Sequence, residues 1–491
     1  MSFQKGKLQF MESISKQVIG VLSILFLIST FACKREGVLE TDPNQQPVLT
    51  KDSIIFDTVF TTVGTTTEFF KVLNPSNKSL KMDQIYLAGG ENSDFRLNVD
   101  GEPGKSFSNI TLRPKDSIFV FVEATIDPNG GNTPLIVEDQ IVFETLGKTK
   151  AVELLAWGQD AIYHRADTYI AGLPPFVVLP ENEIWTSEKP HVVYGYAVVD
   201  SARSLRVEAG TQIHFHNNSG LWVYRGGHIE MNGTTNQPIV LQGDRLESFF
   251  EDAPGQWDRF WINEGPQDHI LRNVIIKNAL VGLQIEPLPF DVLSPTTTNK
   301  IILENVTIQN SSAIGLLARN YRMEATNCVF GDAGTYGFAI SGGGSYDLNH
   351  VTIANYYIEK PRTDAGVLVT NVYEDATGTV QIRPLEMLRI RNSIIAGSQE
   401  TEIEFSLNEE VTNQIEIANS LIFLKEDFSD FYVNCSRNLE PAFKNPDANN
   451  FDIKSNSFAI DRGIQTGINT DILGRFRDFN PDLGAYEFDT N

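Results

Sequence analysis

A five-residue strand returns at a nearly fixed interval through the second half of the chain. It reads Glu-Asn-Val-Thr-Ile at 304–308, Thr-Asn-Cys-Val-Phe at 326–330 and Asn-His-Val-Thr-Ile at 349–353. Aligned on Asn305, Asn327 and His350, the copies lie 22 and 23 residues apart. Related strands appear upstream as Arg-Asn-Val-Ile-Ile (272–276) and downstream as Arg-Asn-Ser-Ile-Ile (391–395) and Ala-Asn-Ser-Leu-Ile (418–422). A period just over twenty residues carried by short β-branched runs implies a β-solenoid, in which each turn of chain buries its inner face only against its neighbours.

Strand alternation then sorts the side chains. Every second residue points inward, so Val274, Val306, Cys328, Val351, Ser393 and Ser420 form one inner column. Ile276, Ile308, Phe330, Ile353, Ile395 and Ile422 form another. About ten residues after each copy a strand opens on glycine (Gly282, Gly315, Gly337, later Gly366), which predicts turn geometry there. The outward positions Ile275, Val329, Ile394 and Leu421 make an apolar stripe. Cys328 and Cys435 fall several rungs apart. At about 4.8 Å per rung they exceed the roughly 7 Å Cα span of a disulfide, so both are expected to be unpaired.

The flanks define further segments. Lys5, Lys7 and Lys16 precede an apolar run from Val18 to Phe31, short of the ~20 residues of a membrane-spanning helix, and it closes on Ala32-Cys33. This resembles a bacterial lipoprotein signal, which implies cleavage after residue 32, lipidation of Cys33 and a place in the cell envelope, on the outer membrane; Met1 and Met11 are both possible starts. Residues 33–50 are polar and without periodicity and read as a tether. From 51 to 160, alternating strands such as Ser53–Phe60, Glu68–Leu73 and Ser117–Glu123, separated by Gly, Pro and Asn turns, predict an immunoglobulin-like β-sandwich. A β-helix is expected over 161–460, and a cap over its open end at 461–491. The fold class is therefore all-β: a sandwich followed by a parallel β-helix.

The formal net charge of −24 excludes nucleic acid as a natural partner, since phosphate binding needs a basic stripe. The strand before each repeated Asn carries the charged exterior, with Glu304, Glu324, Asp347, Arg389, Arg391 and Glu416 pointing outward. Carboxylates beside arginines are what a lyase of acidic polysaccharide uses, the acids to hold Ca²⁺ and a base to take a proton. Glu324, Asp347, Arg389 and Arg391 are the catalytic candidates on that reading; a solvated charge ladder is the alternative. Insertions at 243–256, 286–300 and 356–386 interrupt the period and, in solenoids, shape binding grooves. Trp257, Trp261 and Tyr356 are the candidates for stacking on sugar rings. The seven histidines show no metal-ligand spacing, and His214 and His216, on either side of Phe215, are expected at the surface. No metal site or cofactor is evident, Ca²⁺ belonging to the lyase alternative alone.

The opening Val-Glu-Ala-Gly-Thr-Gln-Ile (207–213), the Gly-Thr turn at 233–234 and the closing Asp-Leu-Gly-Ala-Tyr-Glu (482–487) resemble pectate-lyase-like, right-handed parallel β-helix proteins of Bacteroidota. The resemblance covers about 180–490 and implies a fold; it implies no particular activity. Three readings remain open: a lipid-anchored β-helix that binds glycan or serves a structural role without catalysis, a polysaccharide lyase or glycoside hydrolase, and an adhesin or scaffold for another envelope protein.

Overall fold

The computed structural model describes residues 38–60, 64–126, 135–288, 294–374 and 378–489. The expected signal segment and the expected lipidation site, Cys33, lie outside them. The chain divides into two units, one drawn from residues up to 156 and one that holds the repeats.

The first unit is an immunoglobulin-like sandwich of two five-stranded sheets. Glu68–Leu73 lies antiparallel to Ser117–Ala124, which lies antiparallel to Phe95–Val99. In the other sheet Leu80–Leu87 runs antiparallel to Ser106–Leu112. Alternation fills the space between the sheets: Phe70 meets Phe143 edge-on at 6.1 Å, and Phe56 meets Phe95 tilted at 6.0 Å. The expected tether is corrected in part. Val48–Leu49 pairs with Val72 and Leu73, and Glu40, buried, accepts from the Ser76 hydroxyl at 2.5 Å. Polar composition hid this because the anchoring is through backbone and one carboxylate, not through an apolar pattern.

The second unit is a parallel β-helix. Three sheets of 9, 10 and 11 strands run along it among the described residues. We name them by the order in which each rung visits them: sheet A, beginning with Phe176–Val178; sheet B, beginning with Glu183–Trp185; and sheet C, reached next at His191–Tyr194. The repeated strand lies in sheet C in the expected register, with Ile276, Ile308, Phe330, Ile353, Ile395 and Ile422 stacked in order. All six are buried. The polar members of the other inner column satisfy themselves: Ser393 and Ser420 donate to the carbonyls of Arg391 and Ala418. Cys328 makes the same contact to Thr326 at 3.3 Å. Burial pushes its thiol up to about 12, so it is a filler and not a nucleophile. Both described cysteines are unpaired.

The repeated Asn does more than mark the period. Asn273, Asn305, Asn327, His350, Asn392 and Asn419 all have φ between 46° and 56°. This left-handed corner suits Asn better than most residues, and it turns the chain from sheet B into sheet C. The glycines behave differently from expectation. Gly282 and Gly315 have no positive φ; a Cβ there would stand 2.6 and 2.4 Å from the carbonyl oxygen of the next rung. Close stacking, not turn geometry, requires them.

The C-terminal segment is also corrected. Residues 440–488 do not cover the open end; they lie along the outer face of sheet C. Phe443, Phe451, Ile472, Leu483 and Ala485 pack on Val329, Ala354, Ile394 and Leu421, which accounts for the outward apolar stripe from Val329 onward and leaves Ile275 outside this cluster. The end of the stack is closed instead by Phe405, Leu407, Phe428, Phe431 and Tyr432. The flanking segment docks on the repeated Asn corners. Asn327 donates to the Thr470 carbonyl and accepts from Arg477. Asn349 reaches Thr466, and Asn392 pairs both ways with Ile464. Asp471, part of the Asn469-Thr470-Asp471 run, is fully buried as the hub of this segment, holding Arg475 at 2.7 Å and two backbone N–H groups of its own turn.

Candidate functional site

The four charged candidates do come together, on the outer face of sheet B. Glu324, Asp347 and Arg389 occupy one cross-rung column, continued by Glu416, and Arg391 stands in the neighbouring column. Each is engaged. Asp347 receives Arg389, and Arg391 at 3.1 Å; Glu324 receives Lys300 at 2.6 Å. Farther up, Arg272 holds Glu304 at 2.5 Å. Burial raises the Asp347 carboxyl, and the two arginines more than reverse this, so it ends below the usual carboxylate range. The hydrogen bond to Asp347 raises the Arg389 guanidinium still further. A carboxylate tied to two guanidiniums and an arginine that cannot lose its proton form a charge-paired ladder, not an acid–base pair. Among the described residues no group of three His, Cys, Asp or Glu is arranged to hold a metal ion.

The aromatic candidates separate. Trp257 is in the core, stacked on Phe215 at 4.3 Å with its indole N–H given to the Lys277 carbonyl; no sugar reaches it. Tyr356 lies half-buried beneath the C-terminal segment, edge-on to Phe443 at 6.0 Å. Trp261 alone faces outward, on sheet A. Simple alternation places Trp257 and Trp261 on one side of their strand. Between them Asp258 and Arg259 are both partly exposed, beside a register shift at which the next strand carries Gly282 as an extra residue, and this break in alternation parts the two tryptophans. His214 is corrected as well: it is buried and bonded to the Gly243 carbonyl at 2.9 Å, and burial holds its imidazole down at about 4. His216 is the exposed one, paired with Asp244 at 2.8 Å.

Sheet A has the features of a binding face. Residues 243–256 and 356–366 enter it from sheet C, and 286–300 and 371–384 leave it for sheet B. All the insertions therefore border its two margins. On its surface Trp222 and Trp261 stack plate on plate, 4.6 Å apart and 6° from parallel. Leu288, from one insertion, packs against this pair. The next rung places Gln284 in register with Trp261. A chain of polar contacts continues from there: Arg259 donates to Gln284 at 2.6 Å, Gln284 to Glu286 at 2.7 Å, and Arg319 to Glu286 at 2.9 Å. The Arg319 guanidinium lies 4.8 Å from the ring centre of Tyr373, from another insertion. Two buried donors on this face, the Trp261 indole N–H and the Arg319 Nε, have no acceptor. Both atoms are closed off from solvent, as are unpaired donors elsewhere such as Trp185 Nε1 and Arg477 Nε, so they are packing features of this face. Trp222, Arg259, Gln284 and Arg319 escaped sequence reading; the clustering of insertions at strands of one sheet was the signal that pointed to them.

No protein-family model matches the chain, and no curated protein matches it. Among solved structures, a family 123 glycoside hydrolase from Clostridium perfringens aligns over 22% of this chain and 23% of its own length, at 8% identity and a TM-score of 0.17. The PapD-like domain 7 of human CEP192 aligns over 25% of this chain and 89% of its own, at 12% identity and a TM-score of 0.16. Likenesses of this size leave the function to the geometry of the chain itself.

Proposed function

We propose that the chain is an envelope lipoprotein, anchored through Cys33 to the outer membrane, whose β-helix holds a polysaccharide along the outer face of sheet A without chemistry of its own. The observation that carries this reading is the Trp222–Trp261 stack beside the Arg259–Gln284–Glu286–Arg319 chain of polar contacts, on a face bordered by every insertion. A sugar ring laid over the outer edge of the Trp222–Trp261 stack would have its hydroxyl oxygens beside Gln284, Arg259 and Arg319. Sugar recognition combines an aromatic platform with fixed polar groups in this way. The ion-paired state of Glu324, Asp347, Arg389 and Arg391 supports binding over catalysis. The resemblance to β-helix proteins of Bacteroidota fits an envelope setting.

The test is retention on a panel of immobilised acidic and neutral polysaccharides, using a Cys33→Ser form that stays in solution. One class of polymer is expected to retain it. Trp261→Ala and Arg319→Met should each weaken that retention by about tenfold or more, the scale of an interface hot spot. Retention by no polymer, or retention unchanged in both variants, would overturn the reading. Release of unsaturated or shortened products would return catalysis to the account.

A further inference from the structure

The last rung lacks one of its three strands. Sheet B continues to Tyr432–Val433 and sheet C to Ser436–Arg437, each one strand beyond the rung that contains Ile403–Ser406. Sheet A stops at Ile403–Ser406. The chain that should supply its next strand runs from Phe423 to Phe431. It is held at its start, where Glu402 N–H donates to the Phe423 carbonyl at 2.8 Å and Lys425 N–H to the Thr401 hydroxyl at 3.1 Å, and it makes no backbone bond to Ile403–Ser406.

What remains is a slot of about 530 Å³ between the edge strand and this detour. Parallel pairing with Val367–Thr370 uses one side of the edge strand. By strand alternation the N–H and C=O groups of Ile403 and Phe405 point to the other side, and no backbone or side-chain bond takes them up. The floor of the slot is apolar, formed by Ile403, Phe405, Leu424, Phe431 and Tyr432. Its outer lip is acidic: Glu404, Glu426 and Asp427 line it with no basic residue among the lining side chains, and among the described residues Glu404 is in no ion pair. Asp427 is held by Arg437 at 2.9 Å. Thr401 donates to Glu426 at 3.5 Å.

We infer that this slot receives an extended segment of a partner protein as the missing strand of sheet A, one that alternates apolar residues with lysine or arginine. Backbone pairing to Ile403 and Phe405 would supply the register. Apolar side chains would continue the inner columns, and basic ones would stand over Glu404. A second copy of this chain is a poor occupant, because edge-to-edge pairing would set its Glu404 and Glu426 against the same acids, and like charges across strands repel. Open edges of this kind are normally blocked by charge, proline or cover; here the cover is withdrawn and the charge has one sign.

The probe is a peptide of alternating valine and lysine, titrated into the full chain and followed by fluorescence anisotropy, beside a valine–glutamate control. The valine–lysine peptide is expected to bind at least about tenfold more tightly. Phe405→Pro removes an N–H that faces the slot while leaving the bonds to Val367–Thr370, and should weaken binding about tenfold; Phe405→Leu should not. Glu404→Lys, an exposed substitution that leaves the fold alone, should reverse the preference between the two peptides. Equal binding by wild type, Phe405→Pro and Glu404→Lys would mean attraction to an acidic surface only, and would overturn the inference. So would absence of binding, or a dimer in sedimentation that Phe405→Pro dissociates, which would give the slot to a second copy.

Discussion

Replacing Arg477 by methionine should release the C-terminal segment from sheet C while leaving the β-helix folded. The Arg477 side chain is wholly buried and makes four contacts: Glu487 at 2.8 Å, Asn327 Oδ1 at 3.0 Å, and the carbonyls of Gly484 at 2.9 Å and Asp482 at 3.3 Å. Methionine keeps much of the volume and none of the donors. The Glu487 carboxylate would then be buried without its cation. Breaking one side of a buried pair costs about 3–5 kcal/mol, which corresponds to about two to three and a half decades in an opening equilibrium at 1.4 kcal/mol per decade. The readout is hydrogen exchange at two amides that tie the segment to sheet C, Gly484 N–H to the Asn392 carbonyl and Ala485 N–H to Thr352. Both should exchange faster by about that factor, while amides between stacked rungs keep their protection. Burial and the neighbouring Asp482 push the Glu487 carboxyl up to about 7. Without the Arg477 cation, which lowers it, the carboxyl rises further, so in the variant it takes a proton first as pH falls and the deficit should shrink from pH 8 to pH 6. A double Arg477→Met/Glu487→Leu variant should recover most of the loss, since an apolar pair of similar volume is often no worse than a buried ion pair. Unchanged exchange in Arg477→Met, or a double variant as loose as the single one, would refute the reasoning.

Three further outcomes follow from the same geometry. Four buried histidines and the half-buried His164 are held down by burial first, His164, His214 and His269 at about 4 and His191 and His350 at about 3. Unfolded imidazoles take protons near 6.5 and these do not, so the unfolded chain binds more protons between about pH 6.5 and 4 and stability must fall as pH drops through that window; His214 alone accounts for about 2 kcal/mol between pH 6.5 and 5 at 1.36 kcal/mol per unit, and the urea midpoint should decline accordingly. Asp347→Asn should cost about 1 kcal/mol at pH 7, the upper range for a partly exposed charge network. Because the Asp347 carboxyl is lowered in the fold, that difference is present above the ordinary carboxylate pKa and should vanish as pH falls through the lowered value. Cys33→Ser should move the protein from the detergent-rich to the aqueous phase of a cloud-point partition; a variant that stays with detergent would count against the lipid anchor.

Much of the fold was legible because a solenoid writes the same sentence once per rung. The register of Ile276 through Ile422 follows from the spacing alone, and the inward and outward sorting of the strands before each Asn holds through Met323, Leu348 and Ile390. What alternation cannot supply is the identity of whatever covers an outward face. Val329, Ile394 and Leu421 look like a docking stripe until residues 443–485 are laid across them. The repeated Asn reads as part of a strand; its left-handed φ and its bonds to Thr470 and Ile464 are tertiary facts. A single break in alternation, at Asp258 and Arg259, was enough to put Trp257 and Trp261 on opposite faces. The charged column was placed correctly, yet its meaning changed once Lys300, from outside the repeat, was found on Glu324.

The claim that sheet A is the binding face is tested most directly by hydrogen exchange of the full chain with and without a polysaccharide that retains it. Protection is expected across sheet A, at Trp257–Ile262, Ala279–Ile285 and Ile314–Ala318, and in the bordering insertions. Protection centred instead on sheet B, at Tyr321–Thr326, Gly344–Asn349 and Leu385–Arg391, would contradict the account and restore the charged ladder as the site.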